Sequence, residues 1–169
     1  VKKEYQDIIS SYLGIKPFEI NSECLSAQNR RRLYWTNIPN ITQPKNKGIM
    51  LIDIFENDTN EIIYKEPYYK KVSNKSFVGY VGNQPKQATK VFTTNGKSVC
   101  LTALGGGQGG KTGLYEIPNT NMCRKLTPTE CEKLQTVPLN YTFGVSNNQR
   151  YKMLGNGWTV DVIAHIFGA

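Results

Sequence analysis

Gln28, Arg30 and Arg32 stand at alternate positions of a short polar run, Gln28-Asn29-Arg30-Arg31-Arg32, that leads directly into Leu33-Tyr34-Trp35. In extended backbone, alternate side chains share a face, so one amide and two guanidinium groups would converge on one ligand. Planar guanidiniums suit a carboxylate, a phosphate or the acceptor edge of a base. The competing reading of the same residues is a solvated basic turn.

A second run, Gly105-Gly106-Gly107-Gln108-Gly109-Gly110-Lys111-Thr112, formally matches the phosphate-cradling loop of nucleotide hydrolases. That loop works because a helix begins at its lysine and aims backbone amides at the phosphates. Here Gly113 and Pro118 leave no room for such a helix, and no apolar strand ending in an acidic metal ligand stands out downstream. The hydrolase reading is rejected. Without Cβ atoms, the same glycines instead let backbone approach a groove or phosphate closely. Metal chemistry has little support: Cys24, Cys100, Cys123 and Cys131 show no C-x-x-C spacing, and His165 is the single histidine. Four reduced, mostly structural cysteines suit a cytosolic protein.

The elements that must position these groups are partly legible. Tyr5, Ile8, Ile9, Tyr12 and Leu13 fall on one helical face, with Gly14 as a left-handed stop. Residues 15–23 read as an extended connection interrupted by Pro17, and residues 32–35 as a strand with Leu33 and Trp35 on one side. Asn37, Pro39, Asn40 and Pro44 mark a boundary. From there to about residue 90 the chain is irregular, apart from a short apolar segment at 49–55. Asn95-Gly96 between residues 91–94 and 97–102 predicts a β-hairpin with a two-residue turn. Thr127-Pro128-Thr129-Glu130 is a capping box, predicting a helix to about Gln135 that ends before Pro138. Val160, Ile163, Ala164 and Phe167 form a final helical stripe, preceded by a turn at Gly155-Asn156-Gly157.

Composition bounds the partners. The 169 residues are 38% hydrophobic and 20% charged, ordinary for a globular protein, and no apolar run reaches membrane-spanning length. Lysine and arginine outnumber acids by 21 to 13, a net charge of +8, which favours a polyanion. Residues 65–97 hold seven lysines against one acid, Glu66, preceded by Tyr64 and interleaved with Tyr68, Tyr69, Phe77, Tyr80 and Phe92. Lysines neutralise phosphates and rings stack on sugar or base, so a salt-sensitive nucleic-acid contact is one reading and a solvated face the other.

Four segments then resemble, in order, the signatures of DNA cytosine-5 methyltransferases. Gln28-x-Arg30-x-Arg32 with Leu33-Tyr34-Trp35 resembles the eighth motif of that family. Residues 100–107 and 111–115 resemble the end of its target recognition domain. Arg124-Lys125-Leu126-Thr127-Pro128 with Glu130, Leu134, Gln135 and Pro138 resembles the ninth, and Gly155-Asn156 with Val160 the tenth. Two departures stand out: Cys100-Leu101 where the family usually has Thr-Leu, and Gly157 where it commonly has Ser or Ala.

The resemblance implies an α/β fold: the C-terminal portion of a Rossmann-like methyltransferase domain with an inserted β-rich target recognition domain. Residues 1–37 and 124–169 would belong to the catalytic domain and 38–123 to the insertion. It implies transfer of a methyl group from S-adenosylmethionine to C5 of a flipped cytosine in double-stranded DNA. Arg32 would face the flipped base, supported by Gln28 and Arg30; Asn156, Gly157 and Trp158 would close over the cofactor. Lys97, Ser98, Leu101, Thr102, Gly105, Gly106, Gly107 and Lys111 would meet DNA. A cytoplasmic, bacterial or phage-type enzyme of restriction-modification kind, working at the nucleoid, is the implied setting.

The chain carries no F-x-G-x-G loop, no Pro-Cys-Gln nucleophile and no Glu-Asn-Val. It is therefore expected to be inactive by itself and to need an N-terminal catalytic portion, in the same or a partner chain. Apolar surface left exposed on the first and last helices would offer that contact, or a homodimer. A non-catalytic DNA-binding or regulatory subunit descended from such an enzyme is the second reading.

Overall fold

The computed structural model describes residues 1–56, 63–65, 76–82, 86–103 and 112–169. The glycine cluster at 105–110 with Lys111, and most of the lysine-rich stretch at 65–75, lie outside the described residues.

The first periodic segment folds as expected into helix α1, Lys3–Leu13, closed by Gly14 at φ 69°. None of its residues is buried, and Tyr5, Ile8, Tyr12 and Leu13 are all more than half exposed. After Pro17 the chain forms β1, Phe18–Asn21, antiparallel to β2, Arg31–Tyr34, with Ile20 opposite Arg32. Trp35, just beyond β2, donates from Nε1 to Ser10 Oγ of α1 at 3.0 Å. The apolar segment at 49–55 contains a single 3-10 turn, Leu51–Asp53.

Five strands form the second sheet, all drawn from residues 63–124: β3 (Ile63–Lys65), β4 (Phe77–Tyr80), β5 (Lys90–Phe92), β6 (Leu114–Glu116) and β7 (Met122–Arg124). Their order is β3-β7-β6-β5-β4, antiparallel except for the β5–β6 pair.

The hairpin expected around Asn95-Gly96 does not form. β5 pairs with β4 and β6, and neither Asn95 nor Gly96 takes the positive φ of a tight hairpin turn. Residues 97–101 instead run beside residues 27–29, bridged in parallel at Gln28 and Ser98, with Ser98 N donating to Ala27 O at 2.7 Å and Asn29 N to Ser98 O at 2.9 Å. The turn is held by other partners, Leu51 N on Gly96 O and Ile52 N on Thr94 O. Long-range pairing has overridden a local turn preference.

Helix α2, Pro128–Leu134, begins at the predicted capping box: Glu130 N donates to Thr127 Oγ1 at 3.0 Å and Thr127 N to Glu130 Oε2 at 2.7 Å. It carries two buried carboxylates. Glu130 forms a two-pronged ion pair with Arg124 (2.7 and 2.9 Å), which itself lies 3.7 Å over the Phe55 ring. Glu132 accepts from the amides of Asn140 and Thr142, each at 2.8 Å, and from Arg150 at 3.0 Å. Burial by itself would raise the pKa of Glu132, but the hydrogen bonds from Thr142, Arg150 and Asn140 prevail and hold it below the ordinary carboxylate value.

Two expectations for the C-terminus are corrected. Gly155 and Asn156 form no turn; they end a helix, α3 (Asn147–Asn156), capped at its start by Ser146 Oγ. Helix α4, Val160–Phe167, buries Val162 and Ile166, whereas Val160 and Phe167 of the predicted stripe are 44% and 73% exposed. The helix is apolar on both sides, so periodicity could not choose the face that meets Ile20 and Leu25. The main core gathers Ala27, Leu51, Phe92, Leu101, Tyr115, Leu126, Leu134 and Leu154 from both sheets' neighbourhoods, α2 and α3. Among the described residues, no helix is long and apolar enough to cross a membrane.

Ile166→Ala should cost about 2–4 kcal/mol in urea unfolding and Val160→Ala under about 0.5; equal costs would contradict the buried face. A carboxylate with a depressed pKa stabilises the fold above its unfolded value and ceases to as pH falls through the folded one. Stability should therefore decline below about pH 4.3, and Glu132→Gln should flatten that decline. An unchanged acid profile in the variant would remove Glu132 from the account.

Candidate functional site

Gln28, Arg30 and Arg32 share a side of the chain, as alternation predicts, yet they do not share an environment. Gln28 is fully buried: its Oε1 accepts from Leu101 N (3.1 Å), and its Nε2 donates to Leu134 O (3.0 Å) and Gln135 Oε1 (3.1 Å). Arg30 is 4% exposed and donates to Leu101 O (2.9 Å), Cys100 Sγ (3.2 Å), Gly155 O (3.1 Å) and Gly157 O (2.8 Å). Gln28 is thus spent inside the fold, and Arg30, which also lines the cleft onto which Arg32 opens, has both terminal nitrogens engaged by these four acceptors. Burial lowers the pKa of Arg30, an effect that Cys100 opposes and Arg32 reinforces.

Arg32 is exposed. Its guanidinium is steadied by Arg31 O at 2.7 Å and Cys100 Sγ at 3.4 Å, both at the exposed surface. It opens on a cleft of about 430 Å³ whose wall includes Trp35, Asn156, Trp158, Ile163 and Phe167. Both tryptophans of the chain therefore stand in this cleft. Tyr34 also lines it, and burial raises its pKa, opposed by Arg30 and Arg32.

The expected cofactor residues divide similarly. Asn156 and Trp158 are exposed, while Gly157 turns its carbonyl inward to Arg30 and Gln135. Below them, Thr159 Oγ1 donates to Gln135 Oε1 at 2.9 Å and bonds Ser22 Oγ at 3.0 Å. An amide, an indole and an apolar wall suit a flat nucleoside-like group. This donor set fits part of an S-adenosylmethionine molecule; no carboxylate lines the cleft among the described residues.

Four of the expected DNA-contact residues are described, and they face largely inward. Lys97 Nζ is turned onto the carbonyls of Glu23 (2.6 Å), Ser26 (3.0 Å) and Ile49 (2.5 Å), so its charge is engaged within the fold. Ser98 and Leu101 are buried. Thr102 is half-buried, and its Oγ1 has no hydrogen-bond partner among the described residues. Gly105, Gly106, Gly107 and Lys111 are outside the described residues. Sequence reasoning missed Cys100 as a sulfur acceptor shared by two arginines and Trp35 as a cleft wall; neither carries a local signal.

Residues 6–169 match the family of C-5 cytosine-specific DNA methylases. The chain belongs to that family. It is 28% identical over 184 residues to the type II methyltransferase M.HhaI of Haemophilus parahaemolyticus, which covers 95% of this chain and 55% of that protein. It is likewise 28% identical over 149 residues to M.BanI of Aneurinibacillus aneurinilyticus, covering 84% of this chain and 32% of that protein. The chain thus spans little more than half, at most, of these curated relatives. Among solved structures it resembles Dnmt2 of S. pombe (TM-score 0.60, 14% identity, 89% of this chain and 54% of that one). It also resembles the Entamoeba histolytica methyltransferase EhMeth (0.58, 21%, 90% and 51%). At these identities the likeness establishes the methyltransferase fold.

Removing Arg30 takes its donors from the buried carbonyls of Leu101 and Gly155, so Arg30→Ala should lose about 3 kcal/mol or more, against about 0.5 or less for Arg32→Ala. Chemical denaturation measures both; comparable losses would mean that the two arginines do not divide into clamp and free donor.

Proposed function

We propose that this chain is the DNA-recognition and base-holding part of a DNA cytosine-5 methyltransferase. One observation carries the reading: the exposed Arg32 guanidinium opens on the same cleft as Asn156 and Trp158. Arg32 would donate to O2 of a cytosine flipped from the duplex. Negative charge builds on the ring as a nucleophile adds at C6, and a preorganised cation there lowers the barrier. Arg30, held by four acceptors, keeps a second positive charge behind it.

Asn156 and Trp158 would line part of the cofactor pocket. S-adenosylmethionine would supply the methyl group. The five-stranded sheet and the loops it carries would serve as the target recognition domain, with Gly105, Gly106, Gly107 and Lys111 approaching the duplex. Lys97, Ser98 and Leu101 are engaged inside, and the Thr102 hydroxyl is buried, so DNA contact by this segment would fall to Gly105, Gly106, Gly107 and Lys111.

The attacking thiol would come from outside these residues. None of the four cysteines follows a proline or precedes a glutamine. The exposed faces of α1 and α4, with Tyr12 and Phe167 at 88% and 73%, support docking of a portion that bears the nucleophile.

The test mixes the chain with a polypeptide bearing the Pro-Cys-Gln loop and follows transfer of labelled methyl groups to duplex DNA. The chain should bind DNA more weakly as salt rises and transfer nothing by itself, and the mixture should be active. Arg32→Ala in the mixture should lower kcat by about 10²–10³. Full activity of that variant would exclude Arg32 from the chemistry. Tight binding unaffected by Arg32→Ala, with no restored activity, would favour a non-catalytic DNA-binding subunit.

A further inference from the structure

Arg30 joins two places that the sequence keeps far apart. Its Nη1 donates to Leu101 O at 2.9 Å and Cys100 Sγ at 3.2 Å; its Nη2 donates to Gly155 O at 3.1 Å and Gly157 O at 2.8 Å. One planar, rigid group thus fixes the spacing between residues 100–101 and the two carbonyls flanking Asn156. Gly155 supplies a second contact between the same segments. A Cβ placed there would lie 2.2 Å from Thr102 C and 2.3 Å from Ala103 N, so the backbone of α3 touches that of residues 102–103 directly. The Gly155 contact cannot yield by a side-chain rotation, because it is made between main-chain atoms, and three of the four Arg30 acceptors are main-chain carbonyls.

We propose that Arg30 is a positioning residue that, with Gly155, locks the cleft wall at residues 156–158 to residues 100–103, so that the two shift as one body. Residues 100–103 lead into the glycine-rich loop, and residues 156–158 line the cleft. A displacement produced by DNA at the first is therefore carried to the second directly through Arg30 and Gly155. This consequence rests on the functional reading above; the lock itself does not.

Hydrogen exchange measured by mass spectrometry on the full 169-residue chain reads both ends at once. Peptides spanning 97–103 report the amides of Ser98 and Leu101, bonded to Ala27 O and Gln28 Oε1. Peptides spanning 153–160 report Gly157 and Val160, bonded to Met153 O and Gln135 O. Arg30→Lys keeps the charge but cannot satisfy all four acceptors, and Gly155→Ala pushes on the same junction from the opposite side. Each variant should accelerate exchange in both peptides together by about tenfold, while the β5–β6 pair stays as in the wild type. Val162→Ala, which weakens the α4 core elsewhere, serves as the comparison for ordinary destabilisation and should not loosen the two peptides jointly.

Loosening of one peptide alone, of neither, or of both equally in Val162→Ala would overturn the lock. If one variant fails to fold, the other decides. In a second arm, a duplex DNA should slow exchange at 97–103 and also at 153–160 in the wild type, but only at 97–103 in Gly155→Ala. Joint protection in Gly155→Ala would also overturn the lock. Absence of DNA binding by the wild type would defeat the functional reading, while the ligand-free arm would still judge the lock.

Discussion

A guanidinium buried without a carboxylate partner constrains this structure more than any other group. Desolvating a charge is costly unless its donors are all met, and Arg30 meets its need with backbone carbonyls and one sulfur. Those acceptors belong to two segments more than fifty residues apart, so both must be in place before the charge is accommodated. Gln28 adds a second tie of the same kind, to Leu101 N on one side and Leu134 O on the other. Together the two side chains decide where residues 97–103 lie, and so why a sequence that favours a hairpin at Asn95-Gly96 yields a bridge to Gln28.

The seven residues of α2 form the complementary brace. Its two buried carboxylates point to different neighbours. Glu130 holds Arg124 of β7 and the amide of Glu56, binding the five-stranded sheet. Glu132 gathers the amides of residues 140 and 142 with Arg150 of α3. Removing one partner of such a pair is strongly destabilising because it leaves an unpaired buried charge. A helix too short to be stable in isolation is thus fixed by contacts at both sides, and Gln135 at its end reaches the carbonyl of Leu154 and accepts from Thr159.

What was legible in the sequence follows from the range of the forces involved. Helix α1, its glycine stop and the capping box of α2 are local features, and each appears where its residues predict. Helix α3 was missed because Asn147-Asn148-Gln149 is weakly helical and its apolar residues are few; Ser146 caps it, but packing of Leu154 holds it. The alternation of residues 28, 30 and 32 correctly placed three side chains on one side. It could not say that the side passes from core to solvent within five residues, since burial depends on segments arriving from positions 100 and 155. The polar types identified the cluster, and tertiary contacts set which of its members are buried and which is exposed.

That gradient from buried to exposed gives the cleft its electrostatic character. Arg30 and Arg32 repel each other, and the fold tolerates this because Arg30 is anchored by carbonyl dipoles and Cys100 Sγ accepts from both guanidiniums. In a partly desolvated cleft the field of the inner charge is screened less than it would be in water. On the proposed reading, a ligand acquiring negative charge there would gain from two cations, of which only Arg32 is exposed. Arg32 could not serve if it were clamped as Arg30 is, and it would wander if Arg30 and Cys100 did not define its place. A buried, clamped charge behind an exposed donor is therefore the arrangement that the buried guanidinium makes possible.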